Sequence, residues 1–134
     1  MIEIRSLTKS FKGQKVLNDL FLTLRQGRIT VIIGPTGTGK SVLLKHILGL
    51  IKPDSGEILI DGEDIHLLDD VQLNEVRRKF GVCFQDAALF DSMNVGENIG
   101  FPFVMHTKMS KGEIEEEVAG LLREVGLSGI EHKM

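Results

Sequence analysis

Gly34-Pro35-Thr36-Gly37-Thr38-Gly39-Lys40-Ser41 decides the reading of this chain. It matches G-x-x-x-x-G-K-[ST] at every fixed position, which average residue frequencies allow by chance in roughly one chain of this length in a few hundred. Its surroundings are those its mechanism needs. Ile29-Thr30-Val31-Ile32-Ile33, a short and almost unbroken apolar run, precedes it, and Ser41 to Leu50 follows with apolar residues at helical spacing. A strand, a glycine-rich loop and a helix in that order let successive backbone N–H groups turn toward phosphate oxygens, with the positive helix end behind them. Lys40 then supplies an ammonium to the terminal phosphates and the Ser41 hydroxyl a ligand for Mg²⁺. Pro53 stops the helical stretch, and Gly49 sits near its end.

Upstream, Met1–Leu7 and Val16–Leu24 are rich in β-formers, and Lys12-Gly13-Gln14 between them reads as a hairpin loop. Val16, Leu20, Leu22 and Leu24 are placed on one face of the second strand with Thr23 opposite. Ile29–Ile33 reads as a strand buried on both faces, as in a parallel sheet. Downstream, Gly56–Ile60 is a strand closed by the turn dipeptide Asp61-Gly62. Asp69 or Asp70 caps a helix from Val71 to Arg78. Phe80–Phe84 is a further buried strand ending at Gln85-Asp86, and from Val95 the pattern is helical. Ser110 and Glu113 form a capping box for a helix that ends near Val125-Gly126.

The 134 residues carry a net charge of −3, which excludes the basic footprint of a nucleic-acid binder. Charge is uneven: residues 1–67 hold nine basic and seven acidic groups, residues 68–134 seven and twelve. A polyanionic ligand therefore belongs with the first half. A lone cysteine, Cys83, in an apolar run fits a reducing compartment. No apolar stretch approaches the roughly 20 residues of a membrane span. GTPase elements of the D-x-x-G and N-K-x-D kind are missing, and arginines for a kinase lid are few, so elimination favours ATP. An apolar strand ending in a magnesium-holding carboxylate is also missing. Ile58-Leu59-Ile60-Asp61 is better explained by its hairpin turn, and in Val82-Cys83-Phe84-Gln85-Asp86 a glutamine intrudes before the acid.

In these segments the chain resembles the amino-terminal half of an ABC transporter ATP-binding subunit, along essentially its whole length. The resemblance implies an α/β P-loop NTPase fold of ABC type: a core parallel sheet, an antiparallel β subdomain and the start of a helical subdomain. Residues 1–134 are then one part of an ATP-binding domain, with the β subdomain and P-loop core in 1–86 and the Q-loop region and start of the helical subdomain in 87–134. Leu7-Thr8-Lys9-Ser10-Phe11 corresponds to the adenine-stacking segment, with Phe11 as the ring and Val16 packing beside the base; hairpin packing is the plainer use of Phe11. Gly34, Pro35, Thr36, Gly37, Thr38, Gly39, Lys40 and Ser41 are the Walker A loop. Val42 stands where many relatives carry a second hydroxyl, so only its backbone N–H serves the phosphates. Gln85 is the Q-loop glutamine, whose carbonyl completes the magnesium shell; a satisfied structural amide is the plainer reading.

The cofactors so implied are ATP and Mg²⁺, with Lys40 and Gln85 catalytic and Ser41 and Gln85 on the metal. Partners implied are a transmembrane permease subunit and a second copy of the ATP-binding subunit, at the cytoplasmic face of an inner membrane. The wording ALFDSMNVGENIGFPF, residues 88–103, is similar to the subgroup serving lipid-transport and solvent-resistance systems. The LSGGQ-like signature, the acidic strand with its glutamate and the switch histidine of the family are not in these 134 residues. The chain alone is therefore expected to hydrolyse ATP inefficiently, and a non-hydrolysing nucleotide-binding or scaffolding module is the alternative.

Overall fold

The computed structural model describes residues 1–85 and 88–134, so Asp86 of the Q-loop stretch and the first residue of the 87–134 segment lie outside the described residues. The chain divides into two compact units, Met1–Val82 and Cys83–Met134. The division expected from the resemblance lies a few residues later, at 86/87.

The first unit is built on a four-stranded antiparallel sheet in the order β2-β1-β3-β4, from β1 (Ile2–Phe11), β2 (Gln14–Leu24), β3 (Ser55–Ile60) and β4 (Glu63–Asp64). Two tight turns make most of it local. Lys12 and Gly13 have φ of 50° and 83°, and Asp61 and Gly62 of 54° and 90°. Paired positive values of this kind match the twist of the strands they join. Gln14, expected in the first loop, is the first residue of β2 and pairs with Phe11. Asp61 is thus a turn residue: its carboxylate bonds the Met1 amino group at 2.7 Å and Lys79 Nζ at 3.2 Å. That confirms the turn reading of Ile58–Asp61 over a metal-holding strand.

The core of this unit joins Ile4 and Leu7 of β1, Leu17 of β2, Ile58 and Ile60 of β3, and Ile65 to two helices. Helix α1 (Lys40–Ile47) contributes Leu43 and Ile47, and α2 (Asp70–Arg77) contributes Val76. Leu20, Leu22 and Leu24 border this core as the alternation predicts, but Leu17 replaces Val16 inside it. The ladder slips between Leu7 and Lys9, where β2 uses three residues against two and Asp19 takes φ 49°. One extra residue reverses the inside–outside alternation beyond it. Gly56 (φ 90°) is forced by a close strand approach: a methyl there would run into the Ser6 carbonyl and stand 2.6 Å from the Arg5 oxygen. Of the two aspartates expected to cap this helix, Asp69 does so, in a reciprocal box with Gln72.

Two expected strands do not form. Ile29–Ile33 and Phe80–Phe84 lie outside the sheet, and the first is open to solvent, with Ile29 95% and Ile33 90% exposed. Val82 and Phe84 are exposed as well. A parallel strand has no ladder without neighbours on its edges, and among the described residues none is available.

In the second unit, α3 (Val95–His106) and α4 (Lys111–Glu124) pack together, with Val118 and Leu122 buried and a methyl on Gly100 only 3.2 Å from Ile114 Cγ2. Ser110 and Glu113 form the expected capping box, and Asn94 and Glu97 form another at the start of α3. Asn98 ties the preceding turn to α3: its Oδ1 accepts from the Phe90 N–H at 2.8 Å and its Nδ2 donates to the Met93 carbonyl at 2.9 Å. Glu113, Glu115, Glu116 and Glu117 are solvent-facing, as a helix turn carrying four carboxylates should be.

Candidate functional site: a glycine-rich loop on a helix start

The loop Gly34–Gly39 enters α1 through Gly39, whose φ of 96° is closed to ordinary L-residues. Space enforces the same choice. A methyl on Gly39 would stand 3.0 Å from Val16 Cγ1, 3.1 Å from the Val16 carbonyl oxygen and 3.2 Å from Leu17 Cδ2. The β2 bulge that removes Val16 from the core thus sets it against the loop. Across the loop, Lys40 Nζ donates to the carbonyls of Gly34 and Pro35, both at 2.7 Å. The Thr38 hydroxyl donates to the same Pro35 carbonyl at 2.9 Å. A methyl on Gly34 would lie 3.1 Å from Thr38 Oγ1, so the loop is tight there too.

The start of α1 differs from those of α2, α3 and α4. Those three each carry a side-chain cap in a reciprocal box and an acidic residue in the first turn: Asp70, Glu97 and Glu113. Helix α1 has no side-chain cap and no acid in its first turn. Its leading N–H groups and positive dipole end are left for an outside acceptor. Ser41 is exposed on that first turn and Val42 is half-buried against the core. Thr36 and Gly37 are exposed.

The far end of α1 is held firmly. Leu50 N–H returns to the Lys45 carbonyl at 2.8 Å and Gly49 N–H to that of His46 at 2.9 Å, a Schellman ending. Arg77, at the end of α2, donates from Nε to the Leu48 carbonyl at 3.2 Å and from Nη2 to the Gly49 carbonyl at 2.9 Å. His46 is wholly buried, and its Nδ1 donates to the Val42 carbonyl at 2.7 Å. It lies three residues after Leu43 on the apolar stripe, a spacing that marks it as inward-facing.

Phe11 ends β1 and is 42% exposed. Lys9 Nζ lies over its ring, 5.6 Å from the centroid. That ammonium is anchored by Asp54 Oδ1 and by the Lys52 carbonyl, each at 2.8 Å, and the other Asp54 oxygen accepts the Ser10 N–H at 2.7 Å. The Lys9 bond, and after it the Ser10 N–H, hold the Asp54 carboxyl below the ordinary carboxylate range. Sequence reading missed Asp54; its place beside Pro53 suggested only a loop. Gln85 is an exposed turn residue of the second unit. The structure therefore brings Val16 to the loop of Gly34, Lys40 and Ser41, with Phe11 at the end of the same hairpin.

Residues 17–134 match the ABC transporter family. The chain belongs to that family. It is 48% identical over 98% of its length to the probable ribonucleotide transport ATP-binding protein mkl of Mycobacterium leprae, and covers 38% of that protein. It is 40% identical over 96% of its length to the intermembrane phospholipid transport system ATP-binding protein MlaF of Haemophilus influenzae, and covers 49% of it. Among solved structures, the ATP-binding cassette MJ0796 in a dimeric post-hydrolysis state bound to ADP and Pi superposes with a TM-score of 0.86 at 32% identity. That match takes in 99% of this chain and 61% of the cassette. The chain thus spans between about two fifths and three fifths of these ABC relatives. Its fold is the P-loop ABC-ATPase fold, with a four-stranded antiparallel β subdomain and, among the described residues, no parallel strand pairing. No helix among the described residues is long and apolar enough to cross a membrane.

Proposed function

We propose that this chain is the nucleotide-binding portion of an ABC transporter ATP-binding subunit, and that Gly34–Ser41 holds the phosphates of MgATP. One observation carries the reading: the glycine-rich loop stands on the uncapped, acid-free start of α1, with the Lys40 ammonium held across it by two carbonyls. The donor set fits a polyphosphate. Backbone N–H groups of the loop and the ammonium present donors and positive charge, and the Ser41 hydroxyl on the first turn of α1 offers an oxygen for a magnesium ion. Bound magnesium supplies charge neutralisation at the phosphate oxygens. Lys40 orients the terminal phosphates, Ser41 holds the metal shell, and the Val42 backbone N–H extends the phosphate contacts. Phe11 and Val16 receive the adenine base, and Gln85 keeps the Q-loop role that the family resemblance gives it.

Hydrolysis belongs in this reading to a whole subunit paired with a second copy, docked on a transmembrane permease at the cytoplasmic face of an inner membrane. The dimeric cassette that this fold matches supports the pairing. Lipid or another hydrophobic compound is the proposed cargo. The similarity to an intermembrane phospholipid transport ATP-binding protein supports it, while the mycobacterial relative carries ribonucleotide transport in its name. The test is titration calorimetry with MgATP. Lys40→Ala should abolish the binding heat while Cys83→Ser, which alters an exposed thiol, leaves it unchanged. Equal affinity in wild type and Lys40→Ala would refute the loop assignment.

A further inference from the structure

Phe11 is an end-of-strand aromatic, next to a two-residue turn, and nothing in its own backbone fixes its ring. Four contacts with a distant loop do so indirectly. Asp54 bonds both Lys9 Nζ (2.8 Å) and the Ser10 N–H (2.7 Å), gripping the two residues that precede the ring. The Lys52 carbonyl takes a second hydrogen of the same ammonium at 2.8 Å. The Asp54 N–H returns to the Thr8 carbonyl at 3.0 Å, so the two segments are bonded in both directions. Lys9 is mostly covered, with 16% of its side chain exposed, so its position is set rather than sampled. The fixed ammonium lies over the Phe11 ring.

We propose that Lys9 and Asp54 are positioning residues for the base of the nucleotide, acting through Phe11. The inference rests on the nucleotide reading above. A cation over one face of a benzene ring is attracted by its π density and draws that density toward itself. The opposite face becomes a better stacking surface for an electron-rich purine, since stacking follows the ring's charge distribution. Asp54 is needed because an untethered lysine would keep its ammonium in water, away from the ring. Charge also matters in the placement. Asp54 neutralises Lys9 locally, so the pair adds little net field at the phosphates, and its influence is confined to the base.

That confinement makes the inference separable from a general effect on folding. Affinities of the 134-residue chain for MgATP and for magnesium tripolyphosphate, which has no base, would be measured by calorimetry at a temperature well below each variant's unfolding midpoint. Lys9→Met and Asp54→Asn should each weaken MgATP binding by about two- to fivefold, the size of an exposed cation–π contact. Tripolyphosphate binding should stay unchanged, and Lys9→Arg, which keeps cation and ion pair, should retain wild-type affinity for both. In a Phe11→Ala background, Lys9→Met should have no further effect on MgATP. Parallel weakening of both ligands, an unaltered ratio between them, or a full Lys9→Met effect without the Phe11 ring would each overturn the assignment. Wild-type chain that fails to bind even tripolyphosphate would instead overturn the phosphate-loop reading beneath it.

Discussion

The sheet β2-β1-β3-β4 and the run Ile29–Ile33 are both strand-forming sequences, and they meet opposite fates. The first is two tight-turned hairpins joined by the β1–β3 ladder, and it buries Ile4, Leu7 and Ile58 almost completely. The second is more uniformly apolar and yet stands in solvent. Apolar content is therefore not what makes a strand. Antiparallel neighbours come with a hairpin of a few residues, whereas parallel neighbours must be delivered by a crossover of a dozen residues or more. The β1–β2 and β3–β4 hairpins carry their partners in the adjacent sequence, and the two hairpins then join through β1 and β3, from distant parts of the chain. The run before the phosphate loop depends on strands from elsewhere, and the family's longer members have the chain length to supply them.

The largest expected effect tests this contrast directly. Leu7→Ala, at a fully buried site, should lower the stability of the first unit by about 2–5 kcal/mol in urea denaturation. Ile29→Ser, at a 95% exposed site, should change it by less than about 0.5 kcal/mol while reducing self-association in sedimentation. Comparable losses from the two substitutions would show that Ile29 is packed in solution and erase the contrast.

A smaller effect is expected where a helix end is locally encoded. Ser110→Ala removes the α4 cap and should cost the second unit about 1 kcal/mol, read as faster amide exchange over the first turn of α4, with the first unit unaffected. The smallest concerns the ion pairs that close the sheet. Asp61 is held below the ordinary carboxylate range first by the Met1 amino group and then by Lys79, and Asp54 by Lys9 and Ser10. A carboxyl with a lowered native pKa binds fewer protons folded than unfolded in that window. Its stabilisation is complete above the ordinary carboxylate range and is lost as pH falls through the lowered values. Both carboxylates are solvent-exposed, so the change should be modest and should shrink in high salt. NMR titration of the two carboxyls would check the direction, and ordinary values in both would remove the pairs from the account.

Much of this was legible in local chemistry. Lys12-Gly13 and Asp61-Gly62 announce their turns, and the Asp69-Asp70 pair and Ser110 with Glu113 announce their helices, because each signal acts within a few residues. The glycine-rich loop is of the same kind, down to Lys40 and Ser41 at the helix start. Less legible were residues whose role depends on a bulge or on distant partners. Leu17 enters the core because Asp19 adds one residue to the ladder, and alternation cannot foresee an insertion in the pairing. Arg77 reads as a surface arginine until α1 ends beside it.

By itself, then, the sequence determined the turns, the helix starts, the phosphate-type loop and the family, since those rest on short-range stereochemistry and on motif spacing. Tertiary structure alone decided that Val16 faces Gly39, that Asp54 reaches back to Lys9 and Ser10, and that Ile29–Ile33 remains open. The physical reason is common to all three. Which side chains meet across a sheet, or fail to, depends on register and on partners dozens of residues away, and neither is written in the residues that feel the result.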